Sequence, residues 1–288
     1  IDRAAIEVHD IGLKLVKKNS KTGFEAYVGG GQGRSPFVAK KIKNFLEKKD
    51  LLNYLEAILS IYNEFGRRDN IYKARIKILV NELGQKKLEF LINDRFKKFK
   101  NKKLELTKRQ IEEIYSFFKL PIKKTKKSEM PQENDIEYNQ WLSQNVIKHK
   151  VEGFSIVNIS LKPPGKPPGD ISALQMNELS KISEVFSCGE LRVTHEQNLI
   201  LPHIKNSQLF QLWKKLKAIG LSIPNIGLIS DTICCPGMDY CALATARSIP
   251  ISQKISNFFN DYSIQKKIGN LKIKISGCIN ACGHHHVG

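Results

Sequence analysis

The sequence predicts an α+β protein in at least two parts, and three observations carry that prediction. Apolar residues recur at helical spacing over residues 50–65, 71–83, 88–99 and 108–118. From Trp141 onward, strand-like and helical segments follow in the order β–α–β–β–α, as in a ferredoxin-like sandwich. Between them, residues 85–135 are very basic and end in the turn-rich segment 128–135, with Pro131 and few apolar residues.

Taken in order, residues 24–28 read as a strand ending at Gly29, which opens the glycine loop Gly29-Gly30-Gly31-Gln32-Gly33-Arg34-Ser35-Pro36. Leu51, Leu52, Leu55, Ile58, Leu59 and Tyr62 mark one face of a helix, broken by Gly66-Arg67-Arg68-Asp69-Asn70. The helical pattern then resumes over residues 71–83. Residues 154–161 are strand-like through Ile156, Val157 and Ile159, and a Pro/Gly turn covers 163–169. Asp170 is the expected N-cap of a helix over 171–186. Two strands, 191–193 and 199–201, flank Thr194 to Asn198, and a helix over 209–219 carries Trp213 and Leu216.

Hydrophobic residues make up 41% and charged residues 26%, ordinary for a globular chain. No apolar run is long enough for a membrane span, and residues 1–16 lack a secretory core, so a cytoplasmic location is expected. Forty-seven basic residues face 28 acidic ones, a net +19. A lysine-rich solvated surface, attraction of anions and nucleic-acid binding all compete to explain it. The lysines are scattered among amphipathic helices and no nucleic-acid motif appears, so neither nucleic acid nor a membrane is expected as a partner. The chain starts at Ile1 without an initiator methionine and stops directly after its densest functional cluster, so it is expected to be an internal piece of a longer protein.

Five of six cysteines fall in two groups, Cys234-Cys235-Pro236-Gly237-Met238-Asp239-Tyr240-Cys241 and Gly277-Cys278-Ile279-Asn280-Ala281-Cys282-Gly283. Such grouping points to metal or redox chemistry more than to a disulfide framework. Cys278 and Cys282 have a zinc-compatible spacing, whereas the five residues between Cys235 and Cys241 suit a larger iron–sulfur cluster; both remain open on spacing alone. Cys241 is expected to open a helix over the alanine-rich residues 242–249, which would lower its pKa. Gly277 and Gly283 would let the backbone wrap an inorganic group. Cys188 is isolated and expected to be buried.

These segments resemble the C-x5-C…C-x3-C signature of the sirohaem sulfite and nitrite reductases. The likeness extends to Leu191-Arg192-Val193-Thr194-His195-Glu196-Gln197-Asn198-Leu199, to Val8-His9-Asp10-Ile11-Gly12-Leu13, to the glycine loop and to Arg67-Arg68-Asp69-Asn70, and is weakest over 85–140. It implies a pseudo-twofold repeat of a ferredoxin-like half-domain plus a larger α/β domain, here incomplete at both ends. On that frame, residues 1–90 end the first repeat domain, 91–137 form a basic helical linker, 138–222 the half-domain and 223–288 the second, truncated domain. The resemblance further implies a 4Fe-4S cluster on Cys235, Cys241, Cys278 and Cys282, with the sulfur of Cys282 also bridging the sirohaem iron. Gly29, Gly30, Gly31 and Gly33 would present N–H groups to sirohaem carboxylates, Arg34 would pair with one, and Asn280 would lie near the macrocycle. Arg192, Thr194, Gln197 and Asn198 are candidates for cofactor contact, with strand and hairpin stabilisation the competing reading.

The implied activity is assimilatory reduction of sulfite to sulfide, with nitrite to ammonium as the alternative and a zinc-bearing nucleic-acid module as the remote one. The donor would be ferredoxin or an NADPH-dependent flavoprotein subunit, and the substrate a small anion. Its basic substrate cluster is expected upstream of Ile1, so this piece is expected to be inactive alone. The run His284-His285-His286 reads as a proton source at a haem edge or as packed or solvated surface.

Overall fold

The computed structural model describes residues 4–99, 104–122, 130–131 and 133–287, which divide into two compact units between Lys119 and Leu120. In the first unit, β1 (Ile11–Lys18), β2 (Lys21–Val28) and β3 (Lys40–Glu47) form an antiparallel sheet in the order β1-β2-β3. Asn19 and Ser20 both take positive φ in the β1–β2 turn, as a tight hairpin of matching twist requires. Helices α1 (Leu51–Phe65), α2 (Ile76–Leu83) and α3 (Gln85–Phe99) pack their apolar faces with the sheet around Val28, Ile42, Tyr54, Ile58, Leu79 and Ile92.

Two expectations are corrected in this unit, and one strand is added. The pattern over 71–83 is not one helix. A single 3-10 turn, Ile71–Lys73, precedes α2, and Arg75 between them is extended. The break has a cause: Asn70 caps the turn by accepting from the Tyr72 N–H, and Arg75 swings out to bond both oxygens of Asp10, at 3.2 and 2.7 Å. Strand β3 goes unpredicted among its lysines. The boundary drawn at residue 90 falls inside α3, whose Leu88 and Ile92 are buried in this core. After α3, α4 (Lys108–Phe117) is closed by a Thr107–Gln110 capping box and buries none of its residues.

The second unit opens with α5 (Ile136–Asn145), capped by Asp135. Four antiparallel strands follow in the order β4-β5-β7-β6: β4 (Val146–Lys148), β5 (Phe154–Ile159), β6 (Arg192–Val193) and β7 (Leu199–Lys205). With α6 (Ala173–Phe186) and α7 (Leu209–Ala218) they bury Trp141, Val157, Leu179, Leu201, Leu212 and Trp213, so the ferredoxin-like order read from sequence is the observed one. Ser172, not Asp170, caps α6, because its hydroxyl and Gln175 form a capping box. Cys188 is exposed rather than buried, at positive φ just past the end of α6.

His149 links this fold to pH. It is buried 5.5 Å from the His203 ring, with its Nδ1 accepting from the Val151 N–H at 2.8 Å. Burial holds its pKa below the ordinary value. The unfolded chain therefore binds the proton more readily, so the stability from neutral His149 is complete above about pH 6.5 and is lost as pH falls towards the folded value. Thermal unfolding should show Tm dropping from about pH 7 to 5.5, with a shallower slope in His149→Asn.

Candidate functional site

Strand β8 (Ile233–Cys234) lies parallel to β9 (Lys274–Ile275), with Ile233 opposite Lys274 and Cys234 opposite Ile275. The ladder is prolonged by the Cys235 N–H, which donates to the Ile275 carbonyl at 3.0 Å. Parallel strands send their following loops off the same end. The pairing thus brings together the two loops that carry Cys235 and Cys241, and Cys278 and Cys282. The loops interlock through the Gly277 carbonyl, which accepts from Thr245 and Ala246 at 2.8 and 3.0 Å. Arg247 braces the first loop by donating to Asp239 at 2.8 and 2.6 Å.

That interlocking removes the expected helix after Cys241. Residues 242–248 are irregular, because their donors go to Gly277 rather than back along a helix, and α8 (Ile249–Phe258) begins later. Cys241 instead follows a 3-10 turn, Gly237–Asp239, donating to the Gly237 carbonyl at 2.9 Å. The glycines are also used differently than expected. A Cβ on Gly277 would lie 2.6 Å from the Ala246 carbonyl and 2.9 Å from the Gly237 Cα, and one on Gly283 2.0 Å from the Ile275 carbonyl. They admit backbone against backbone. Gly277→Ala should therefore cost about 1–3 kcal/mol, read as a lower unfolding midpoint, and should loosen both cysteine loops.

The adjacent cysteines differ in environment. Cys234 is buried, its thiol donates to the Cys235 carbonyl at 3.2 Å, and burial pushes its pKa up to about 11. Burial pushes Cys235 up as well, but the Gly277 N–H, 3.0 Å from Sγ, and the Gly237 N–H, with the Ser248 hydroxyl nearby, outweigh it and hold the thiol below its ordinary value. Cys241 and Cys278 are half-buried, and Cys282 is exposed beside Ala281, which takes positive φ. Among the described residues, no three His, Cys, Asp or Glu side chains converge on a point that one metal ion could occupy. Four cysteine sulfurs on two interlocked loops, one of them already accepting a backbone N–H, form the soft donor set that zinc or an iron–sulfur cluster takes.

Other predicted residues take structural places. Arg192 is exposed and paired with Glu190. The Thr194 hydroxyl accepts from the Glu196 and Asn198 N–H groups at 3.2 and 3.1 Å, closing the hairpin. Asn198 accepts from the Leu161 N–H at 3.1 Å and donates to Asp231 at 3.0 Å. Gln197 reaches Cys234. Asn280 is exposed, as are His284, His285 and His286.

In the first unit the N–H groups of Gly29, Gly30 and Gly31 donate to the Asp10, His9 and Phe37 carbonyls. They are engaged within the chain and not open to a cofactor carboxylate, which corrects that expectation. Gly33, at positive φ, and exposed Arg34 stay at the loop's rim.

Sequence reasoning missed Lys77, Ser248 and the pair of Lys162 with Asp231. Lys77 is buried and donates to the Gln32 and Ser35 carbonyls of the glycine loop at 2.7 and 2.9 Å, with burial lowering its pKa. Its signal was weak: one more basic residue beside Lys73 and Arg75 in a helical stretch. A cleft of about 810 Å³ in the second unit is lined by Leu161, Leu179, Val193, Gln197, Cys234 and Cys235, among others.

Known proteins resemble parts of both units. A family model described as the nitrite and sulphite reductase 4Fe-4S domain matches residues 2–100. The nitrite/sulfite reductase ferredoxin-like half domain matches 150–219. Together they take in more than half of the chain, and the cysteine loops lie outside both. The chloroplastic ferredoxin–nitrite reductase of Betula pendula is 26% identical over 290 residues, covering 97% of this chain and 43% of that protein. Sulfite reductase [ferredoxin] 1 of Mycolicibacterium paratuberculosis is 21% identical, over 98% of this chain and 45% of that protein. The chain thus spans less than half the length of these relatives. The structure of the Mycobacterium tuberculosis NirA protein shares the fold, with a TM-score of 0.68 at 20% identity, over 98% of this chain and 46% of that one. The chain belongs to the nitrite and sulfite reductase family.

Proposed function

We propose that this chain carries the cluster-binding part of an enzyme that reduces a small oxyanion, nitrite or sulfite, by six electrons. The observation that carries it is the parallel pairing of β8 with β9, which sets the two cysteine loops side by side with the Gly277 N–H on the Cys235 sulfur. Cys235, Cys241 and Cys278 would hold the cluster, and Cys282 would share its sulfur with a sirohaem iron. When bound, the pair supplies single-electron storage beside an iron with an open coordination position.

The chain's own residues fix the geometry. The Gly277 N–H donates to the Cys235 sulfur, favouring thiolate over thiol. Ser248 donates to the Cys235 carbonyl at 2.7 Å, which orients the peptide that carries that sulfur. Arg34 and Gly33 remain candidates for a cofactor carboxylate.

Nitrite is favoured by the names of the plant and Haloferax mediterranei relatives, which are ferredoxin-dependent nitrite reductases. Sulfite is favoured by the name of the Mycolicibacterium relative. Ferredoxin, named for both kinds, is the proposed donor, and a net +19 suits an acidic one. A cytoplasmic location stays part of the proposal; among the described residues no helix is long and apolar enough to cross a membrane. The deciding experiment is steady-state turnover of nitrite and sulfite by the cofactor-loaded protein with a reduced dye. A kcat/KM at least about tenfold higher for one anion assigns it. Turnover of neither, by a protein that holds both cofactors, would refute the proposal.

A further inference from the structure

We propose that Gln197 is a positioning residue for the cluster ligand Cys235, gripping the peptide before it from the hairpin of the ferredoxin-like half-domain. The inference rests on the four cysteines holding a cluster. The Cys234 N–H donates to Gln197 Oε1 at 3.0 Å, and Gln197 Nε2 donates to the Cys234 carbonyl at 2.8 Å. One side-chain amide thus satisfies both backbone groups of Cys234, as a neighbouring strand would. Position 233–234 has β9 on one side only, so this amide takes the other edge of the ligand-bearing strand.

Three further features show that the grip is built rather than incidental. Gln197 holds positive φ, 57°, an uncommon conformation for a residue that carries a Cβ. Gly169 faces it without a Cβ, the position where one would stand being 3.3 Å from the Gln197 Cβ. The residues on either side are anchored as well: the Glu196 carbonyl accepts from the Lys162 ammonium at 2.5 Å, and Asn198 donates to Asp231 at 3.0 Å. Asp231 lies on the segment leading into β8, so the hairpin meets that segment at two places, Asp231 and Cys234. Thr194 closes the same hairpin, so Thr194, Gln197 and Asn198 together support the ligand strand.

Such outer-shell supports typically change metal retention by about 10- to 100-fold. Gln197→Gly is the sharpest variant: it relieves the positive φ and removes both amide bonds, so it should fold. Gln197→Glu keeps an acceptor for the Cys234 N–H and loses the donor. The measurement is the rate at which the cluster's visible absorption bleaches under an iron chelator, with the electron paramagnetic resonance spectrum of the reduced cluster. We expect bleaching roughly tenfold or more faster in Gln197→Gly, an intermediate rate in Gln197→Glu and an altered spectrum in both. Leu216→Ala serves as a control, lowering Tm through the half-domain core while leaving bleaching and spectrum unchanged. Wild-type rate and spectrum in either folded Gln197 variant would overturn the proposal. An unsubstituted protein that never holds iron and sulfide would instead overturn the cluster itself.

Discussion

Serine at position 235 is expected to strip the cluster, whereas serine at position 234 should leave it in place. The two sulfurs are neighbours in sequence, but the strand points them into different surroundings. Cys234 is buried and donates its thiol proton to the Cys235 carbonyl at 3.2 Å. A serine hydroxyl can make the same bond there. Cys235 receives an N–H from Gly277 at 3.0 Å on the loop that also carries Cys278. Serine there replaces a soft sulfur ligand with a hard, protonated hydroxyl. The effect should exceed the roughly 10- to 100-fold typical of outer-shell changes. Iron and sulfide content after gel filtration checks it. Equal iron retention in Cys235→Ser and Cys234→Ser would show that the wrong cysteine carries the ligand role.

Asp231→Ala should be among the most destabilising single changes in the chain. Lys162 and Asp231 are both 2% exposed, with Nζ 2.6 Å from Oδ1. The same carboxylate accepts from Asn198 at 3.0 Å and from the Gly227 N–H at 2.8 Å. Burial pulls the Lys162 pKa down and Asp231 opposes it, so removing the carboxylate strands an ammonium that keeps only the Glu196 carbonyl. Breaking such a pair costs about 3–5 kcal/mol, whereas replacing both partners with apolar residues of similar volume is often close to neutral. Urea unfolding should show that loss for Asp231→Ala and recover most of it in Lys162→Met/Asp231→Leu. A loss under about 1 kcal/mol for Asp231→Ala would mean that the pair is not holding the hairpin to the ligand strand.

Periodicity made much of the fold legible. α1, α3, α6 and α7 show apolar faces at helical spacing, and β2 and β5 are enriched in β-branched or aromatic residues. Strand β3 was hidden for a physical reason. Only Ile42 and Leu46 of its eight residues are buried, four apart, a spacing that a helix would share. Residues 242–248 misled in the opposite direction: alanine-rich composition favours helix, but Thr245 and Ala246 give their N–H groups to Gly277, more than thirty residues away. The site divides the same way. Cysteine spacing is local information and was readable. Which of Cys234 and Cys235 faces Gly277, and that Gln197 grips residue 234, depends on contacts spanning 37 to 42 residues, which no spacing rule encodes.

The most direct measurement is an iron and acid-labile sulfide count, with zinc measured alongside, on protein produced in a host that supplies sirohaem. The four cysteines, set on two interlocked loops, predict a coloured protein with a 4Fe-4S complement, near four iron and four sulfide per cluster besides any haem iron, and no stoichiometric zinc. A colourless protein carrying about one zinc per chain would contradict the account at its centre.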